Sequence, residues 1–514
     1  MIQRIEISVD PDHIHDPDHI RRQIEKQAPR GFDSFRIVRR SIDARRSKPR
    51  FTLQVELDPE ALAPEFHFAP IAAHPAVIIV GAGPAGLFAA LELIEQGIKP
   101  IVLERGQKVE QRRKSIAQLL RRGELNPDSN YCFGEGGAGA FSDGKLYTRS
   151  NKRGDIYKLL HLLILHGASP DILIDAHPHI GSNKLPTLIR HIRQTIIACG
   201  GEIHFDATVS DLLIDGDAVK GVRLRDSAEL CGHAVILAVG HSARDVYRKL
   251  YTSGIVIEAK PLAIGLRVEH PQALIDAIQY RRSPRHPNLP PATYQLTCQS
   301  QGRGVYSFCM CPGGIIVPTS TQEGELAING MSFSGRRGPF ANAGLVVELR
   351  PEDLEDFDSR TPFGFMALQQ QLEQKAFLMG GGRGQQAPAQ RMTDFMSGKI
   401  SGTLPTTSYR QGLVSSPLQE LFPPAVLNRL RQALTTFDRR LKGFLSAEAL
   451  LVAIESRTSS PVRIPRNSDT LMHPQVRGLF PCGEGAGYAG GITSSAMDGQ
   501  RAARQVACFL KGVY

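Results

Sequence analysis

The order of hydrophobic and polar residues near the start of the chain predicts a small α+β module. Apolar and polar positions alternate, as in half-buried strands, at residues 2–9, 35–38 and 51–57. Residues 20–27 instead follow a helical period. The predicted order over residues 1–70 is therefore β-α-β-β. Residues 61–73 are rich in proline and alanine, which indicates a linker to the next domain.

The most informative pattern starts with an apolar run at residues 76–80. It shows no alternation, which is typical of a strand buried on both faces of a parallel sheet. Gly81, Gly83 and Gly86 follow at GxGxxG spacing. At this spacing the first glycine permits a tight turn, the second admits a pyrophosphate, and the third lets the next helix pack on the strand. That helix, predicted from Pro84 to about residue 95, directs free N–H groups at the phosphates.

A second apolar strand ends at Glu104, close to the spacing of about 20 residues at which a carboxylate binds a ribose hydroxyl pair. Strand, glycines, helix, strand and terminal acid together predict a Rossmann-like dinucleotide site. The same charge argues against NADP here, because a 2′-phosphate would be repelled by it.

The remaining pattern predicts an α/β fold whose nucleotide-binding domain is interrupted by a second domain. A helix at residues 185–198, a strand meander at 203–224 and a buried strand at 234–240 extend the nucleotide-binding domain. Antiparallel strands are predicted at 257–350, and helices with glycine-rich loops at 364–455. A last strand and helix follow. The predicted N-terminal module covers residues 1–70. The nucleotide-binding domain is predicted at 74–256 and is completed by 456–514, and the second domain is predicted at 257–455.

Composition narrows the class of protein only slightly. The 514 residues carry a net charge of +10, which permits an anionic partner without requiring one. Neither a signal peptide nor an apolar run long enough to span a bilayer is found, so a cytoplasmic protein is expected.

The eight cysteines form no CxxC motif, which disfavours a thioredoxin-reductase-type dithiol, and no zinc spacing occurs. Cys309 and Cys311 are the one close pair, and simple packing is the favoured interpretation of them.

Two local clusters leave alternatives open. Basic residues concentrate at Arg30, Arg36, Arg39, Arg40, Arg45, Arg46, Lys48 and Arg50. A nucleic acid could dock there, although a solvated face is favoured. Asp-Pro-Asp-His-Ile occurs twice and gathers His13, His15 and His19. A loop and helix N-cap repeat is favoured over a metal site, and no metal is assigned.

Three glycine-rich motifs together resemble a known family. They are Gly81–Gly86 with Glu104, the segment 133–147, and the segment 483–492. Further similarity lies at 41–45, 265–270 and 329–332 with Arg336. The chain resembles the bacterial FAD-dependent dehydrogenases of unassigned substrate, within the glutathione-reductase-like flavoproteins that have two dinucleotide-binding domains.

The resemblance implies FAD as the cofactor, and backbone crowding in the glycine-rich segment agrees with an extended ligand. Glu484 is expected near the ribityl or phosphate region, Val209 at the adenine, and the start of the last helix at the flavin pyrimidine oxygen. The expected FAD-binding residues are Gly81, Gly83, Pro84, Ala85, Gly86, Glu104, Arg105, Gly136, Gly137, Gly139, Ala140, Ser142, Val209, Gly240, Gly483, Glu484, Gly491 and Ile492.

The expected function is an FAD-dependent oxidoreductase that transfers a hydride between a small substrate and flavin N5. The candidate catalytic residues are Arg267, His270, Tyr280, Arg336 and Lys145. The arginines are candidates to clamp an anionic group, and the histidine and tyrosine are candidates to pass a proton.

Two alternative functions stay open: a flavoprotein that binds or modifies RNA through the basic module, and a non-catalytic flavin-binding protein. No second GxGxxG unit occurs, so either NAD(P)H visits the flavin transiently or the electrons arrive another way. The sequence leaves the oligomeric state open.

Overall fold

The computed structural model describes residues 3–29, 31–45, 48–59, 64–71, 75–147, 154–354, 358 and 360–513. The strands are β1 Gln3–Val9, β2 Phe35–Asp43, β3 Arg50–Leu57, β4 Ala76–Val80, β5 Lys99–Leu103, β6 Glu202–His204, β7 Val209–Asp215, β8 Ala218–Leu224, β9 Glu229–Cys231, β10 Val235–Leu237, β11 Glu258–Ala259, β12 Ala263–Pro271, β13 Thr297–Ser300, β14 Arg303–Cys311, β15 Ile315–Pro318, β16 Ile328–Met331, β17 Phe340–Glu348, β18 Ala387–Arg391, β19 Leu413–Ser415, β20 Leu450–Glu455, β21 Val462–Arg463 and β22 Leu479–Pro481. The helices are α1 Pro17–Glu25, α2 Pro84–Glu95, α3 Val109–Arg122, α4 Ile156–Leu165, α5 Leu185–Ala198, α6 Arg244–Thr252, α7 Gln272–Tyr280, α8 Gly364–Met379, α9 Met392–Ser397, α10 Pro424–Arg440 and α11 Ile492–Leu510.

The N-terminal module has the predicted β-α-β-β order. Its three strands form an antiparallel sheet in the order β1-β3-β2. The Asp-Pro-Asp-His repeat supplies caps: the Asp16 carboxylate accepts a hydrogen bond from the His19 N–H at 2.9 Å, at the start of α1. Asp10 caps the preceding short 3₁₀ turn in the same way. The predicted N-caps are therefore present. The metal alternative stays untested, because the ligand atoms of His13, Asp16 and His19 also lie within 4.8 Å of one another.

The module shares its hydrophobic core with the second domain, so it is less separate than its sequence suggested. Ile7 and Val55 belong to the same buried cluster as Leu266 of β12. At the edge of this contact, His286 Nε2 lies 2.9 Å from the Asp12 carboxylate. Apolar burial on both sides of the contact stabilises the pair as one unit.

Three of the six described residues of the basic cluster are neutralised within the protein. Arg30 and Arg46 lie outside the described residues. Three of the other arginines form ion pairs: Arg36 with Glu56 at 2.6 Å, Arg40 with Asp175 at 2.8 Å, and Arg45 with Asp43 at 2.7 Å. The Arg40 pair joins the module to the segment that follows α4. These contacts agree with the favoured interpretation of a solvated face.

The nucleotide-binding domain is built on a fully parallel sheet in the order β22-β10-β4-β5-β6. Strand β4 lies at its centre and is buried on both faces, as the unbroken apolar run predicted. Helices α2 and α5 have the predicted bounds. The predicted meander over 203–224 is confirmed only in part: β7 and β8 pair antiparallel as expected, but the strand at residue 203 is β6 of the parallel sheet, and the unpredicted β9 completes the meander. The C-terminal β22 and α11 complete this domain, with α11 packed along α2.

The second domain is organised around one mixed sheet in the order β13-β14-β17-β12-β20-β18-β19. Strands β18 and β19 are parallel, and every other neighbouring pair is antiparallel. The expectation of helices and loops alone at 364–455 missed three of these strands. Strand β20 is buried on both faces between β12 and β18, so its sequence shows no alternation that would reveal it. Among the described residues, no helix is long and apolar enough to cross a membrane.

The packing of α2 on α11 yields a stability prediction. A Cβ on Gly499 of α11 would overlap the carbonyl oxygen of Ala85 in α2, so the two backbones meet without side chains between them. We expect Gly499→Ala to lower the free energy of unfolding by about 1–3 kcal/mol through overpacking. Thermal unfolding measures it. Gly402→Ala is the control, because nothing lies within 4 Å of its Cβ position. Equal melting temperatures for both variants would contradict the close contact.

Candidate FAD-binding site

A cavity of about 370 Å³ lies at the carboxyl ends of β4, β5 and β10. All three glycine-rich motifs reach it, and so do residues of the second domain. The expected FAD-binding residues that line it are Gly81, Gly83, Pro84, Ala85, Glu104, Arg105, Gly137, Gly139, Ser142, Val209, Gly240, Glu484, Gly491 and Ile492. Gly86, Gly136, Ala140 and Gly483 do not line it. They support its wall from behind, Gly136 against Ile189 and Gly483 against Ala85.

The three glycines of the first motif divide the roles that their spacing predicted. Gly81 has φ +105°, and a Cβ there would overlap the carbonyl oxygen of Ala238, the residue directly after β10. A Cβ on Gly86 would overlap the Gly81 carbonyl oxygen, which keeps α2 close to β4. At Gly83 a Cβ would meet only the Cα of Gly137, at 3.8 Å. Gly83 therefore presents bare backbone to the cavity, as approach of a pyrophosphate requires.

The motifs converge around one point of the cavity. A Cβ on Gly137 would lie 3.1 Å from the Cα of Gly83. A Cβ on Gly139 would lie 3.1 Å from Ile492 and 3.3 Å from Pro84. The starts of α2 and α11 are thus adjacent, and the segment 137–139 touches both.

Glu104 organises the dinucleotide end of the cavity through backbone N–H groups. Its carboxylate is buried and accepts hydrogen bonds from Ala82 at 2.9 Å and from Gly106 and Gly134 at 3.0 Å. A carboxylate offers about four acceptor positions, so one is left for a ribose hydroxyl. Glu104 therefore ties the glycine loop to two neighbouring loops and can still meet the ribose.

Arg112 is a structural residue of the site that the sequence reasoning missed. Its guanidinium is fully buried and donates to backbone carbonyls of the glycine-rich segment and of the residues just before it, at Asn130, Tyr131, Gly134, Glu135 and Gly137. Burial lowers the pKa of Arg112 to about 10, which still leaves it charged at neutral pH. The one signal in the sequence is an arginine on the apolar face of the amphipathic helix α3.

The residues present fit FAD. Gly83 and Gly491 are the N-cap residues of helices α2 and α11, and no side chain caps either helix start, so both leave N–H groups and positive dipole ends at the cavity. A Cβ on Gly240, Gly490 or Gly491 would meet no protein atom within 4 Å, as expected of backbone that borders ligand space. The α2 start suits the pyrophosphate and the α11 start suits the flavin pyrimidine.

Two ionisable cavity residues have unusual environments. Burial raises the pKa of the Glu484 carboxyl to about 7, although the ammonium of Lys260 acts in the opposite direction. Arg105 bonds both Asp128 and Asp245, and its guanidinium lies 4.6 Å from the ring centroid of Phe133. Glu484 is therefore a group that titrates near neutrality, while Arg105 is a fixed cation.

Of the expected catalytic residues, Lys145 is the one that lines the cavity. Its ammonium lies 3.1 Å from the Asp143 carboxylate, 3.6 Å from Cys309 Sγ and 3.5 Å from Cys311 Sγ. Burial opposes ionisation of Lys145, but the two sulfurs and Asp143 raise its pKa overall. Arg336 donates to Asp143 at 2.6 Å. Burial would raise the pKa of Asp143, and the two cations lower it overall.

The structure does not bring the other candidates to the cavity. Arg267 is fully buried and bonds Glu455 at 2.7 Å, so it holds the wall instead of facing a substrate. The His270 ring packs on Phe444 and bonds its carbonyl oxygen through Nε2. The Tyr280 hydroxyl donates to the Pro290 carbonyl oxygen. The expected roles in clamping an anion and passing a proton are therefore corrected: sequence position could not show which face of the domain these side chains occupy.

The fold and the cavity define a flavoprotein that binds FAD. A model described as "FAD binding domain" matches residues 74–121, one described as "FAD-dependent protein, C-terminal domain-like" matches 261–458, and a domain of unknown function matches 1–58. An uncharacterized protein of Clostridium beijerinckii is 42% identical over 433 residues, which cover 84% of this chain and 80% of that protein. The chain belongs to this family of FAD-dependent proteins.

Solved structures show weaker similarity. One is CtdE in complex with FAD, at 12% identity with 85% of this chain and 90% of that chain covered, and a TM-score of 0.32. Another is PqsL, a probable FAD-dependent monooxygenase from Pseudomonas aeruginosa, at 16% identity, coverage of 86% and 88%, and a TM-score of 0.34. The flavin-dependent brominase Bmp2 is 15% identical, with coverage of 86% and 80% and a TM-score of 0.37.

The open face of Gly83 predicts a selective loss of FAD. We expect Gly83→Val to fold, because the protein offers little obstruction to a side chain there. The valine would occupy the space that a pyrophosphate needs, so purified protein should lose its yellow colour. Flavin absorbance per chain measures this, with circular dichroism to confirm folding. The control is Gly31→Val, where no atom lies within 4 Å. A yellow Gly83→Val protein would contradict the assignment.

The raised pKa of Glu484 predicts a pH dependence of stability. The folded state holds this proton more tightly than the unfolded chain, whose ordinary pKa is 4.5. The contribution of Glu484 to the free energy of unfolding is therefore full below about pH 4.5 and declines as pH rises through about 7. Glu484→Gln should remove this part of the decline, as measured by denaturant unfolding of FAD-free protein across this range. The control, Glu323→Gln, changes an exposed glutamate and should leave the decline as it is in the wild type. Parallel profiles for wild type and Glu484→Gln would contradict the environment described here.

Proposed function

We propose that the chain is an FAD-dependent oxidoreductase that moves a hydride between a small substrate and flavin N5. The observation that carries the proposal is the mixed wall of the cavity. Phe308, Cys309 and Asn329 of the second domain close a space whose other walls are the FAD motifs. FAD supplies two-electron chemistry when bound, and the second domain offers polar groups to a molecule beside it.

Lys145 of the glycine-rich segment supplies charge, and the second domain supplies orientation. Lys145 places a cation at the cavity, which favours a substrate with an anionic or carbonyl group and stabilises negative charge that develops there. Arg267 fixes the Asn329 side-chain oxygen at 3.0 Å and therefore holds the amide in one orientation. Arg267 and Arg336 act in this proposal as positioning residues.

Glu484 replaces His270 and Tyr280 as the candidate for proton transfer. It lines the cavity, and its pKa lies near 7, where a group can both take up and release a proton. His241 also lines the cavity, but burial lowers its pKa to about 4. His241 is therefore neutral at physiological pH and suits hydrogen bonding better than proton delivery.

Several finer statements remain predictions of this proposal. They are the small anionic substrate, dehydrogenase chemistry, transient use of NAD(P)H, membership of the glutathione-reductase-like superfamily, a cytoplasmic location and a bacterial origin. A role in RNA binding gains no support from the basic module, because its Arg36, Arg40 and Arg45 side chains already pair with carboxylates.

The Lys145 cation predicts a shift in the reduction potential of bound flavin. We expect Lys145→Met to make the two-electron midpoint potential more negative by about 30 mV or more, because about 30 mV corresponds to a tenfold change in equilibrium for this couple. Spectroelectrochemical titration measures it. The control, Lys442→Met, changes an exposed lysine outside the cavity. Equal potentials in both variants would contradict a role for Lys145 beside the flavin.

The oxidoreductase proposal itself is tested by anaerobic titration of the purified, FAD-loaded protein with NADH and with NADPH. Mass spectrometry of co-purifying small molecules then supplies candidate partners for the reduced enzyme. We expect flavin bleaching by one nicotinamide cofactor or by a co-purifying compound. Flavin that none of these reduces, and that dithionite reduces normally, would contradict the proposal and favour a non-catalytic flavin-binding protein.

A further inference from the structure

Strand β14 contains an irregularity where it borders the cavity. Phe308 pairs with Gly344 of β17, and Cys311 pairs with Asn342, so β14 carries one more residue than its partner between these points. Cys309 lies in this bulge with φ +47°, a left-handed conformation that is uncommon for a residue with a side chain. Backbone strain of this kind is characteristic of functional sites, because the surrounding fold must maintain it.

The bulge places two cysteine sulfurs around one cation. Cys309 is half-buried and lines the cavity, whereas Cys311 is fully buried behind it. Their sulfurs lie 3.6 and 3.5 Å from the Lys145 ammonium. Arg267 reaches the same place, donating to the Cys309 carbonyl oxygen at 2.9 Å and lying 3.7 Å from Cys311 Sγ.

These surroundings make one thiol of the pair more acidic and the other less acidic than an ordinary cysteine. A hydrogen bond from the Cys311 thiol lowers the pKa of Cys309, and Lys145 and Arg267 lower it further, against the effects of burial and Asp143. The pKa of Cys311 is raised, chiefly because its proton is held by Cys309 and because it is buried. An accessible, acidic thiol backed by a buried, less acidic thiol is the arrangement of an attacking and a resolving cysteine.

We propose that Cys309 and Cys311 form a redox-active dithiol in the wall of the FAD cavity, with small disulfides as its reaction partners. The spacing allows an internal disulfide. Two residues along an extended strand advance about 6.6 Å, which is within the Cα separation of up to about 6.8 Å that disulfides span. The bulge gives the backbone further freedom to bring the sulfurs together.

The exchange balances without another reactant. The Cys309 thiolate attacks one sulfur of the disulfide, a mixed disulfide forms, and one thiolate leaves. Cys311 sulfur then attacks Cys309 Sγ, the mixed disulfide breaks, and the Cys311 proton passes to the second leaving thiolate. The protein gains one S–S bond and loses two electrons, and the small disulfide gains two electrons and becomes one thiol and one thiolate.

This inference goes beyond the proposed function, and its test uses no flavin reduction. FAD-loaded full-length protein is reduced with dithiothreitol, desalted, exposed to oxidised glutathione and acid-quenched. Remaining thiols are alkylated after denaturation, and peptides are analysed by mass spectrometry. We expect a Cys309–Cys311 disulfide in the wild type, and glutathione trapped on Cys309 in Cys311→Ser. In Cys309→Ser we expect an unmodified Cys311. Cys311→Ala is a second trapping variant, and Cys231→Ser, which removes an exposed cysteine, is the control that should still form the disulfide.

A kinetic readout separates a built site from incidental exposure. In native protein at neutral pH, iodoacetamide should alkylate Cys309 at least about tenfold faster than the exposed Cys231, since thiolates are the reactive form. Lys145→Met should reduce that ratio. The inference would be overturned if Cys309 and Cys311 were both alkylated after glutathione treatment. It would also be overturned if the trapping variants carried glutathione on Cys231 alone. These results would leave the oxidoreductase proposal intact, because it does not require a dithiol.

Discussion

The close approach of bare backbone at the ends of three chain segments is the constraint on which the site depends. Gly86 packs over Gly81, and Gly137 lies against Gly83. A Cβ on Gly485 would overlap the backbone of Gly240, so the C-terminal segment closes on the second buried strand in the same way. Each contact replaces side-chain packing with backbone contact, which brings N–H groups and helix starts to a common surface. The dinucleotide cavity is the space that these contacts leave.

Buried charges hold this arrangement without filling the cavity. Glu104 accepts hydrogen bonds from backbone N–H groups of three loops, and Arg112 donates to five carbonyl oxygens in and just before the glycine-rich segment. A buried charge is tolerated only when such partners compensate for lost hydration. Because the partners are main-chain groups, the two charges fix loop positions directly. The second domain repeats this device with Arg267, whose bonds to Asn342 and Glu455 support the wall that carries Cys309.

The local elements of the FAD-binding half were predictable, and the reason is physical. Helix α2 has strong signals at its start, and β4 is an unbroken apolar run, so their bounds follow from sequence. The second domain is different. Arg267 and His270 are three residues apart on β12, which places them on opposite faces of the strand. Sequence could not tell which face meets the cavity. The bulge at Cys309 depends on pairing with β17, a distant segment, and so leaves no local signal.

A crystal structure of the protein grown or soaked with FAD tests the account most directly, because its central claim is spatial. The account predicts the pyrophosphate at the start of α2, between Gly83 and Gly137, and the isoalloxazine between the start of α11 and Lys145. Density for FAD elsewhere on the chain would contradict it, as would an empty cavity at a saturating FAD concentration.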